Sequence, residues 1–270
     1  MIHPTAIIHK NARVDPSAEI GPYAVIDENV KVGPRCRIGP HVHLTGFLTM
    51  GEGNVVHAGA VLGDAPQDLV YQPCESYLRI GNHNTIREMA TMHRGTKSGS
   101  ETLVGDHNFF MATSHVAHNC RIGNHVILSN CSLAAGYVEL HDQCIVSGGV
   151  VLHQFIRVGR LAILRGQSRY SKDIPPYCVG DGTNGIVGLN TVGLRRAGLG
   201  PDARKELKRA FHAVFLTGKP PLEAIQSYDG NKTSEVKEFF GFIQESKRGV
   251  CFVKGKLDDE EEASSEPQGF

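Results

Sequence analysis

The chain has 270 residues, 40% of them hydrophobic and none of them tryptophan, which is enough for one large core and a small additional domain. Lysine plus arginine and aspartate plus glutamate each number 28, so the formal net charge is zero and gives no sign of a nucleic-acid partner. No apolar run approaches about 18 residues and no charged-then-apolar leader precedes the first repeat, so we expect no membrane span, no secretory signal and a cytoplasmic location.

Apolar residues recur at every sixth position along most of the chain. The run extends from Ile2 to Leu62, returns in the same phase from Ile80 to Met92, and continues from Val104 to Leu164. A repeat this short cannot bury its own apolar face, so neighbouring repeats must stack. We therefore predict a left-handed parallel β-helix, in which three strands close a triangular coil of about 18 residues and successive coils lie about 4.8 Å apart.

Two further positions of the repeat carry a pattern. The fourth position after each apolar residue holds a small or medium side chain, as at Ala24 and Val42, and we expect it to fill the inside of the corners. Three of the seven cysteines, Cys36, Cys120 and Cys144, lie in this phase and should be buried thiols. Glycine often follows the apolar position, and we expect it to supply unusual backbone angles at the bends.

The repeat ends near Tyr170, and a stretch rich in proline and glycine, Asp173 to Gly188, leads the chain off the prism. Apolar residues at helical spacing then predict an amphipathic helix that starts after Gly200 and ends before Gly218. A second helix is predicted around Val236–Ile243.

We divide the chain into a β-helix (residues 1–190), a helical domain (191–255) and an acidic disordered tail (256–270). Residues 195–257 hold thirteen basic and seven acidic side chains. This surplus fits a docking surface for an acidic partner, and it fits a solvated helix face equally well.

The richest polar segment of the repeat is Met111–Cys120, in which His118 has the phase of an outward residue. With 18 residues per coil, Gly136 and then Gln154 follow it in one column. These residue types suit acyl transfer, because imidazole can act as a general base near neutral pH and a glycine lets a thioester carbonyl approach its backbone N–H. No serine or cysteine nucleophile lies outward beside His118, which favours direct transfer without an acyl-enzyme and without a cofactor.

Eight short motifs are more specific than the repeat: Gly63–Leu69, Ile86–Glu88, His93–Thr96, His115–His118, His153–Phe155, Asp173–Tyr177, Gly188–Asn190 and Gly193–Arg196. In these motifs the sequence resembles the family of acyl-(acyl-carrier-protein)–UDP-N-acetylglucosamine O-acyltransferases, which catalyse the first step of lipid A biosynthesis. The resemblance covers the whole chain apart from the acidic tail.

The resemblance implies a homotrimer of left-handed β-helices, with each active site in a cleft between two prisms. It implies that His118 takes the proton from the glucosamine 3-hydroxyl of UDP-N-acetylglucosamine. That oxygen would attack the thioester of a 3-hydroxyacyl group on acyl carrier protein, and the Gly136 amide would stabilise the oxyanion. The acidic carrier protein would dock on the basic helical domain.

The resemblance also implies a set of residues that contact the substrates: Asp68, His115, Tyr137, His153, Gln154, Gly166, Asn190 and Arg196. Within this set Asp68 and Gln154 would contact the sugar, and His153 would line the same pocket. Asn190 and Arg196 would contact the acyl donor or the nucleotide. The glycine at position 166 implies room for a longer acyl chain.

The sequence departs from the family pattern at three positions near the expected cleft. Asn119 replaces an aspartate beside the base, Val70 replaces a lysine, and Tyr137 replaces a histidine. Each change removes a charge or a titratable group. One alternative is therefore a related acyltransferase that acts on a 3-amino nucleotide sugar, because an amine needs less activation than a hydroxyl.

Three other interpretations start from the same repeat. The related enzyme that N-acylates glucosamine later in the pathway has an additional N-terminal domain, whereas the repeat here begins at Ile2. A γ-class carbonic anhydrase holds zinc with three imidazoles, but His115, His118 and His125 fall in different columns, so we expect no metal. A β-helical scaffold without catalytic activity would leave the column of His118, Gly136 and Gln154 unexplained.

Overall fold

The structure is a computed structural model that describes residues 1–253. It is a left-handed parallel β-helix of triangular cross-section followed by a short helical region, which confirms the predicted fold class. The predicted acidic tail lies outside the described residues. Across residues 1–253, no helix has both the length and the apolar character that crossing a bilayer requires.

Most strands are two residues long, because each face of the prism is narrow. In chain order the strands are β1 (Ile7–Ile8), β2 (Arg13–Val14), β3 (Glu19–Ile20), β4 (Val25–Ile26), β5 (Lys31–Val32), β6 (Arg37–Ile38), β7 (His43–Leu44), β8 (Phe47–Met50), β9 (Val55–Val56), β10 (Val61–Asp64), β11 (Tyr77–Ile80), β12 (Thr85–Ile86), β13 (Thr91–His93), β14 (Glu101–Val104), β15 (Phe109–Phe110), β16 (His115–Val116), β17 (Arg121–Ile122), β18 (Ile127–Leu128), β19 (Leu133–Ala134), β20 (Glu139–Leu140), β21 (Ile145–Val146), β22 (Val151–Leu152), β23 (Arg157–Val158), β24 (Ile163–Leu164), β25 (Arg169–Tyr170), β26 (Cys178–Asp181), β27 (Gly185–Leu189) and β28 (Phe252–Val253).

The strands form three sheets, one on each face of the prism. Face 1 contains every third strand from β1 to β25, face 2 every third strand from β2 to β23, and face 3 every third strand from β3 to β24, extended by β26, β27 and β28. All pairs are parallel except β26 with β27. We name each corner by the faces it joins, so that corner 1–2 leads from a face 1 strand to the next face 2 strand.

The register follows the predicted coil length in the first coils, where Val14 pairs with Val32 and Val32 with Met50, and again from Val104, but not between them. Val104 pairs with Ile122, eighteen residues on, and Ile122 pairs with Leu140. In contrast, Met50 pairs with Ile80, thirty residues on, and Ile80 pairs with Val104, twenty-four residues on. The additional residues form two loops on corner 1–2, which we call insertion 1 (65–76) and insertion 2 (94–100).

The apolar column fills the interior as predicted. Leu44, Phe110 and Leu128 have no exposed surface, whereas Ile2 in the first coil is 54% exposed because no coil covers it from outside. Burial removes roughly 25 cal/mol of unfavourable hydration for each square ångström of apolar surface, so the stacked coils are held mainly by this column. The thiols of Cys36, Cys120 and Cys144 are buried, which confirms their inward phase.

The prediction about the glycines that follow the apolar position was wrong for most of them and holds for Gly63, whose φ angle is +90°. Gly21, Gly33 and Gly105 do not have positive φ angles. They are needed because a Cβ at position 33 would lie 2.5 Å from the carbonyl oxygen of Gly51 in the next coil. The requirement for glycine therefore comes from the close approach of two backbones.

The corners bend two residues later than expected. Residues at the third position after the apolar residue adopt positive φ angles although most are not glycine, as at Tyr23 (58°), Asn119 (61°) and Tyr137 (62°). Such angles are uncommon outside glycine, asparagine and aspartate. Stacking of equivalent residues between coils holds them in place, as in the ladder of His83, His107 and His125, whose rings lie 5.1 Å apart.

The chain leaves the prism after Leu189, and the described residues from there to Val253 form four helices: α1 (Thr191–Arg196), α2 (Pro201–Phe215), α3 (Pro221–Gln226) and α4 (Ser234–Gln244). Helices α2 and α4 match the two predicted helices, whereas the six-residue α1 and α3 were not predicted. Helix α4 is attached to the prism by the Arg160 guanidinium, which donates to the Glu238 carboxylate at 2.8 Å. Strand β28 then returns the chain to face 3.

Two glycine substitutions should have opposite effects on stability. Gly33→Ala places a methyl group against the backbone of the next coil, so we expect a loss of about 1 to 3 kcal/mol and a lower thermal midpoint. Gly241→Ala in α4 meets no atom within 4 Å, and removal of a helical glycine should stabilise by up to about 1 kcal/mol. Equal midpoints for both variants by circular dichroism would contradict the packing argument.

Candidate active site

Corner 1–2 gathers most of the residues singled out from the sequence. His118 follows β16 on this corner, Gly136 follows β19, and Gln154 follows β22. The Tyr137 N–H donates to the His118 carbonyl at 3.0 Å, and the Phe155 N–H donates to the Gly136 carbonyl at 3.1 Å. The predicted column is therefore confirmed.

The imidazole of His118 lies directly against Gly136. A Cβ at position 136 would be 2.3 Å from Cε1 and 2.6 Å from Nε2 of this ring. No other residue type fits there without displacing the imidazole. Glycine is therefore required at position 136 for a steric reason, since it lets the His118 ring lie along the backbone of the next coil.

The backbone N–H of Gly136 donates no hydrogen bond to any described residue. The equivalent N–H groups of His118 and Gln154 on corner 1–2 also donate to no described residue. On the other two corners the second position after the apolar residue is often proline, which has no N–H: Pro4, Pro16, Pro22, Pro34 and Pro40. In later coils of corner 2–3 this N–H instead donates to a side chain of the next coil, as in Glu52, Asn82, Asp106 and Asn124. At position 136 the donor is kept and lies beside an imidazole.

His118 is held in a polar pocket although it is only 7% exposed. Its Nδ1 lies 3.1 Å from Oδ1 of Asn119. The ring of Tyr137 meets the imidazole edge to face, with 5.5 Å between the ring centres. The carboxylate expected at position 119 is thus replaced by an amide oxygen in hydrogen-bond distance of the same nitrogen.

Two more imidazoles stand next to His118. His115 points outward from face 1, its Nδ1 lies 2.7 Å from the Thr91 hydroxyl, and its ring is 4.9 Å from that of His93. Burial, together with the positive charge that His93 and His118 would carry, lowers the pKa of His115 to about 4. Burial also lowers the pKa of His93, against the opposing effect of Asp64. Both imidazoles are therefore neutral at neutral pH, and only that of His115 has a hydrogen-bond partner among the described residues.

The two insertions close one side of the site. Insertion 1 carries Asp68, whose side chain accepts from the Val70 N–H, and the side chains of Leu69 and Val70 are largely exposed. Arg94 in insertion 2 joins the loops, because its guanidinium donates to the Tyr71 hydroxyl at 3.1 Å. Asp68 is thereby held on the same corner as the imidazoles.

The other predicted substrate contacts are distributed over the molecule. His153 and Gln154 are exposed on corner 1–2, one coil beyond Gly136. Gly166 lies on corner 3–1, away from His118 within the same subunit. Asn190 is buried and caps α1, since its oxygen accepts from the Gly193 N–H and its amide donates to the Leu161 carbonyl. Arg196 is exposed at the end of α1.

Asn190 therefore has a clear structural role, and its contact with a substrate stays a prediction. Cys120 is not available as a nucleophile, because it points inward and burial raises the pKa of its thiol to about 12. His125, which a zinc site would have to share with His115 and His118, lies on corner 2–3. Among residues 1–253 no group of three or more His, Cys, Asp or Glu side chains is arranged to hold a metal ion.

Sequence reasoning missed the polar groups that surround the base. Thr96 of insertion 2 reaches Asn119 with both its N–H and its hydroxyl, and Thr102 accepts from the Asn119 N–H. Neither threonine falls in the column of His118 when coils are counted by eighteen. The only signal was the motif His93–Thr96, which carried no assigned role.

Comparisons with known proteins are consistent with this geometry. A family model described as UDP-N-acetylglucosamine O-acyltransferase, domain 2, matches residues 173–251. The chain is 43% identical to acyl-(acyl-carrier-protein)–UDP-N-acetylglucosamine O-acyltransferase of Synechocystis, over 91% of this chain and 90% of that protein. It is also 43% identical to the Burkholderia lata protein of the same name, over 92% and 98%. The crystal structure of Francisella novicida UDP-N-acetylglucosamine acyltransferase superposes with a TM-score of 0.90 and 32% identity, over the full length of both chains.

The half-buried His115 should make stability depend on pH. Its folded pKa is about 4 against an ordinary 6.5, so the fold favours the neutral ring. That contribution is complete above pH 6.5 and is lost as the pH falls towards 4. We expect the thermal midpoint of His115→Gln to fall less over this window than that of the wild type. His9→Gln, in the exposed first coil, is the control, and a parallel fall of all three curves would refute the assignment.

Proposed function

The chain belongs to the family of acyl-(acyl-carrier-protein)–UDP-N-acetylglucosamine O-acyltransferases, the acyltransferases of the first step of lipid A biosynthesis. On that premise we propose that it transfers a 3-hydroxyacyl group from acyl carrier protein to the 3-hydroxyl of UDP-N-acetylglucosamine, with His118 as general base. The observation that carries this mechanism is the imidazole of His118 lying on Gly136, whose N–H has no other described acceptor.

The proposed steps balance without any cofactor. Nε2 of His118 takes the proton of the acceptor 3-hydroxyl while the oxygen attacks the thioester carbon. The N–H of Gly136 donates to the oxygen that becomes negative in the tetrahedral intermediate. The C–S bond then breaks, and the thiol of the carrier's prosthetic group leaves with the proton from the imidazolium.

Direct transfer is favoured over an acyl-enzyme. The cysteine closest in sequence, Cys120, is turned into the core, where its thiol donates to the Ala135 carbonyl at 3.1 Å. The hydroxyls of Thr96 and Tyr137 are engaged with each other and with Asn119. The base therefore has no partner nucleophile and acts on the acceptor itself.

Asp68, His153 and Gln154 are proposed to contact the sugar. They share corner 1–2 with the base, and both His153 and Gln154 are exposed one coil beyond Gly136. His115 and Tyr137 would line the same pocket. The ring of His115 lies against that of His93, and the ring of Tyr137 lies against that of His118. Arg196 would contact the donor or the nucleotide from a neighbouring subunit.

The distribution of outward side chains supports a homotrimer. On face 1, Leu133 and Val151 beside His115 are 41% and 45% exposed. The outward residues of face 3 at the same level are apolar: Phe109, Ile127, Ile145 and Ile163. Those of face 2 are charged: Arg121, Glu139 and Arg157. We propose that faces 1 and 3 meet between subunits, which would bring Gly166 on corner 3–1 to the cleft of a neighbour and leave face 2 to the helical region.

The helical region is proposed to dock acyl carrier protein, which is acidic. A groove of about 470 Å³ between α2 and α3 is lined by several basic side chains: Lys205, Lys208, Arg209, His212 and Lys219. Asp229 is the one carboxylate in its lining. Such a surface attracts an acidic protein at long range and raises the rate of association.

The family membership does not favour the alternatives weighed from the sequence: the later N-acylating enzyme, a 3-amino acceptor, a carbonic anhydrase or an inactive scaffold. The cytoplasmic location stays a prediction.

His118→Ala should lower kcat/KM by roughly 10²-fold to 10⁴-fold, the usual contribution of a general base. The assay measures 3-O-acyl-UDP-N-acetylglucosamine formed from 3-hydroxyacyl carrier proteins of several chain lengths. His125→Ala is the matched control, because that histidine is exposed on corner 2–3, and it should keep wild-type activity. Analytical ultracentrifugation should show a trimer for all three proteins. A fully active His118→Ala variant would exclude the general-base assignment.

The docking proposal predicts a selective change in KM. The double variant Lys205→Glu, Lys208→Glu reverses two charges of the groove, so KM for the acyl carrier protein should rise at least tenfold, roughly 1.4 kcal/mol, whereas KM for UDP-N-acetylglucosamine should not change. Lys10→Glu with Lys31→Glu makes the same charge change on the first coils and should have no effect on either KM. If both double variants behave alike, the carrier docks elsewhere.

A further inference from the structure

We propose that Thr96 is a positioning residue that fixes which nitrogen of His118 carries the proton, acting through the side chain of Asn119. The inference rests on the proposed function of His118 as general base. It concerns the position where this chain carries an amide in place of the family's aspartate.

The orientation of the Asn119 side-chain amide is set by the backbone N–H of Thr96, which can donate a hydrogen bond but cannot accept one. The backbone N–H of Thr96 lies 3.2 Å from Oδ1 of Asn119, and the Thr96 hydroxyl donates to the same oxygen at 3.0 Å. A backbone N–H only donates, so the amide must present its oxygen and not its NH₂ group to insertion 2. Thr96 thereby fixes the rotamer and the flip of this side chain.

The tautomer of His118 follows in turn. Nδ1 of His118 is 3.1 Å from that oxygen, which can only accept, so Nδ1 carries the hydrogen. Nε2 of the neutral ring is then left with its lone pair, as a general base requires. The opposite amide flip would favour the hydrogen on Nε2 and leave the ring unable to take a proton there.

The network is held from both ends. The Asn119 N–H donates to Oγ1 of the fully buried Thr102 at 2.7 Å. The single hydroxyl hydrogen of Thr96 goes to Asn119, so in the 3.3 Å contact with Tyr137 the phenol is the donor. Tyr137 also meets the His118 ring, and insertion 2 therefore supports the base from two directions.

An amide oxygen orients the imidazole but adds no negative charge to it. His93 and His115 lie near His118, and Asp64 and Arg94 act on His93. The side chains in direct contact with the His118 ring that the structure describes are Asn119 and Tyr137, and neither is a carboxylate. The imidazolium formed during transfer is thus stabilised by dipoles more than by a paired carboxylate. Substituting Asn119 by aspartate keeps the acceptor and adds the charge, which separates orientation from electrostatics.

Insertion 1 and insertion 2 are hydrogen-bonded to each other near Thr96. The thiol of Cys74 in insertion 1 donates to the Thr96 carbonyl at 3.8 Å, and the Gly99 N–H donates to the Glu75 carbonyl at 2.9 Å. The loop that fixes the base is therefore attached to the loop that carries Asp68. Through these contacts, the orientation of the base and the position of insertion 1 depend on each other.

The test compares four variants of the full-length trimer. Thr96→Val removes the hydroxyl and keeps the shape and the backbone N–H, so one donor in place of two holds the Asn119 oxygen. We therefore expect kcat to fall roughly tenfold, as for one lost hydrogen bond to the base network, with both KM values within twofold. Thr96→Ser, which keeps a hydroxyl, should have a kcat close to that of the wild type. Asn119→Leu, which leaves Nδ1 without an acceptor, should lower kcat by roughly a hundredfold. Asn119→Asp should stay active and move the acidic limb of the kcat/KM profile to higher pH. Thr49→Val on face 2 is the matched control.

The tautomer is measured directly in free protein by ¹⁵N NMR of labelled histidine, with the His118 signals identified by their loss in His118→Ala. We expect a protonated Nδ1 and a bare Nε2 in the wild type, and a mixture in Asn119→Leu. Wild-type kcat in Thr96→Val, or a protonated Nε2 in the wild type, would overturn the inference. Absence of acyl product with the wild-type enzyme would instead refute the proposed function, and the NMR result would still decide the tautomer.

Discussion

The rest of the structure depends on the hydrogen bonding between successive coils of the prism. Each short strand is too small to fold alone and is stable only in register with the strand one coil away. From Val104 to Tyr170 this register repeats every eighteen residues, so a side chain at a given phase meets its equivalent in the next coil. The position of His118 against Gly136 is a direct result, because a corner residue of one coil necessarily lies on the corner of the next.

The sequence predicted those features that repeat and missed those that do not. The apolar column, the buried cysteines and the column of His118, Gly136 and Gln154 all follow from period and phase. The two insertions add multiples of six residues, so the apolar pattern continues in phase across them and conceals the longer coils. The glycine error has a similar origin, since residue type alone does not distinguish a need for positive φ from a need for close backbone approach.

The candidate site shows the same division. Phase identified the proposed base His118 and the Gly136 amide beside it, and resemblance supplied Asp68 and His153. The partners of Asn119 could not be predicted, because Thr96 reaches it from a loop that has no fixed spacing to the coils. Likewise, the helix cap formed by Asn190 depends on where the chain turns after Leu189. The role proposed for Gly166 requires a second subunit, whose position the sequence of one chain does not specify.

The unused backbone N–H at the second corner position has a consequence for how such enzymes diversify. On corner 1–2 this N–H has no acceptor among the described residues at His118, Gly136 and Gln154, so this edge offers equivalent amides about 4.8 Å apart in successive coils. An oxyanion donor therefore does not have to be built for each new site. A histidine one coil before a glycine on this edge has such an N–H donor beside it. A catalytic centre could therefore move along the prism by whole coils.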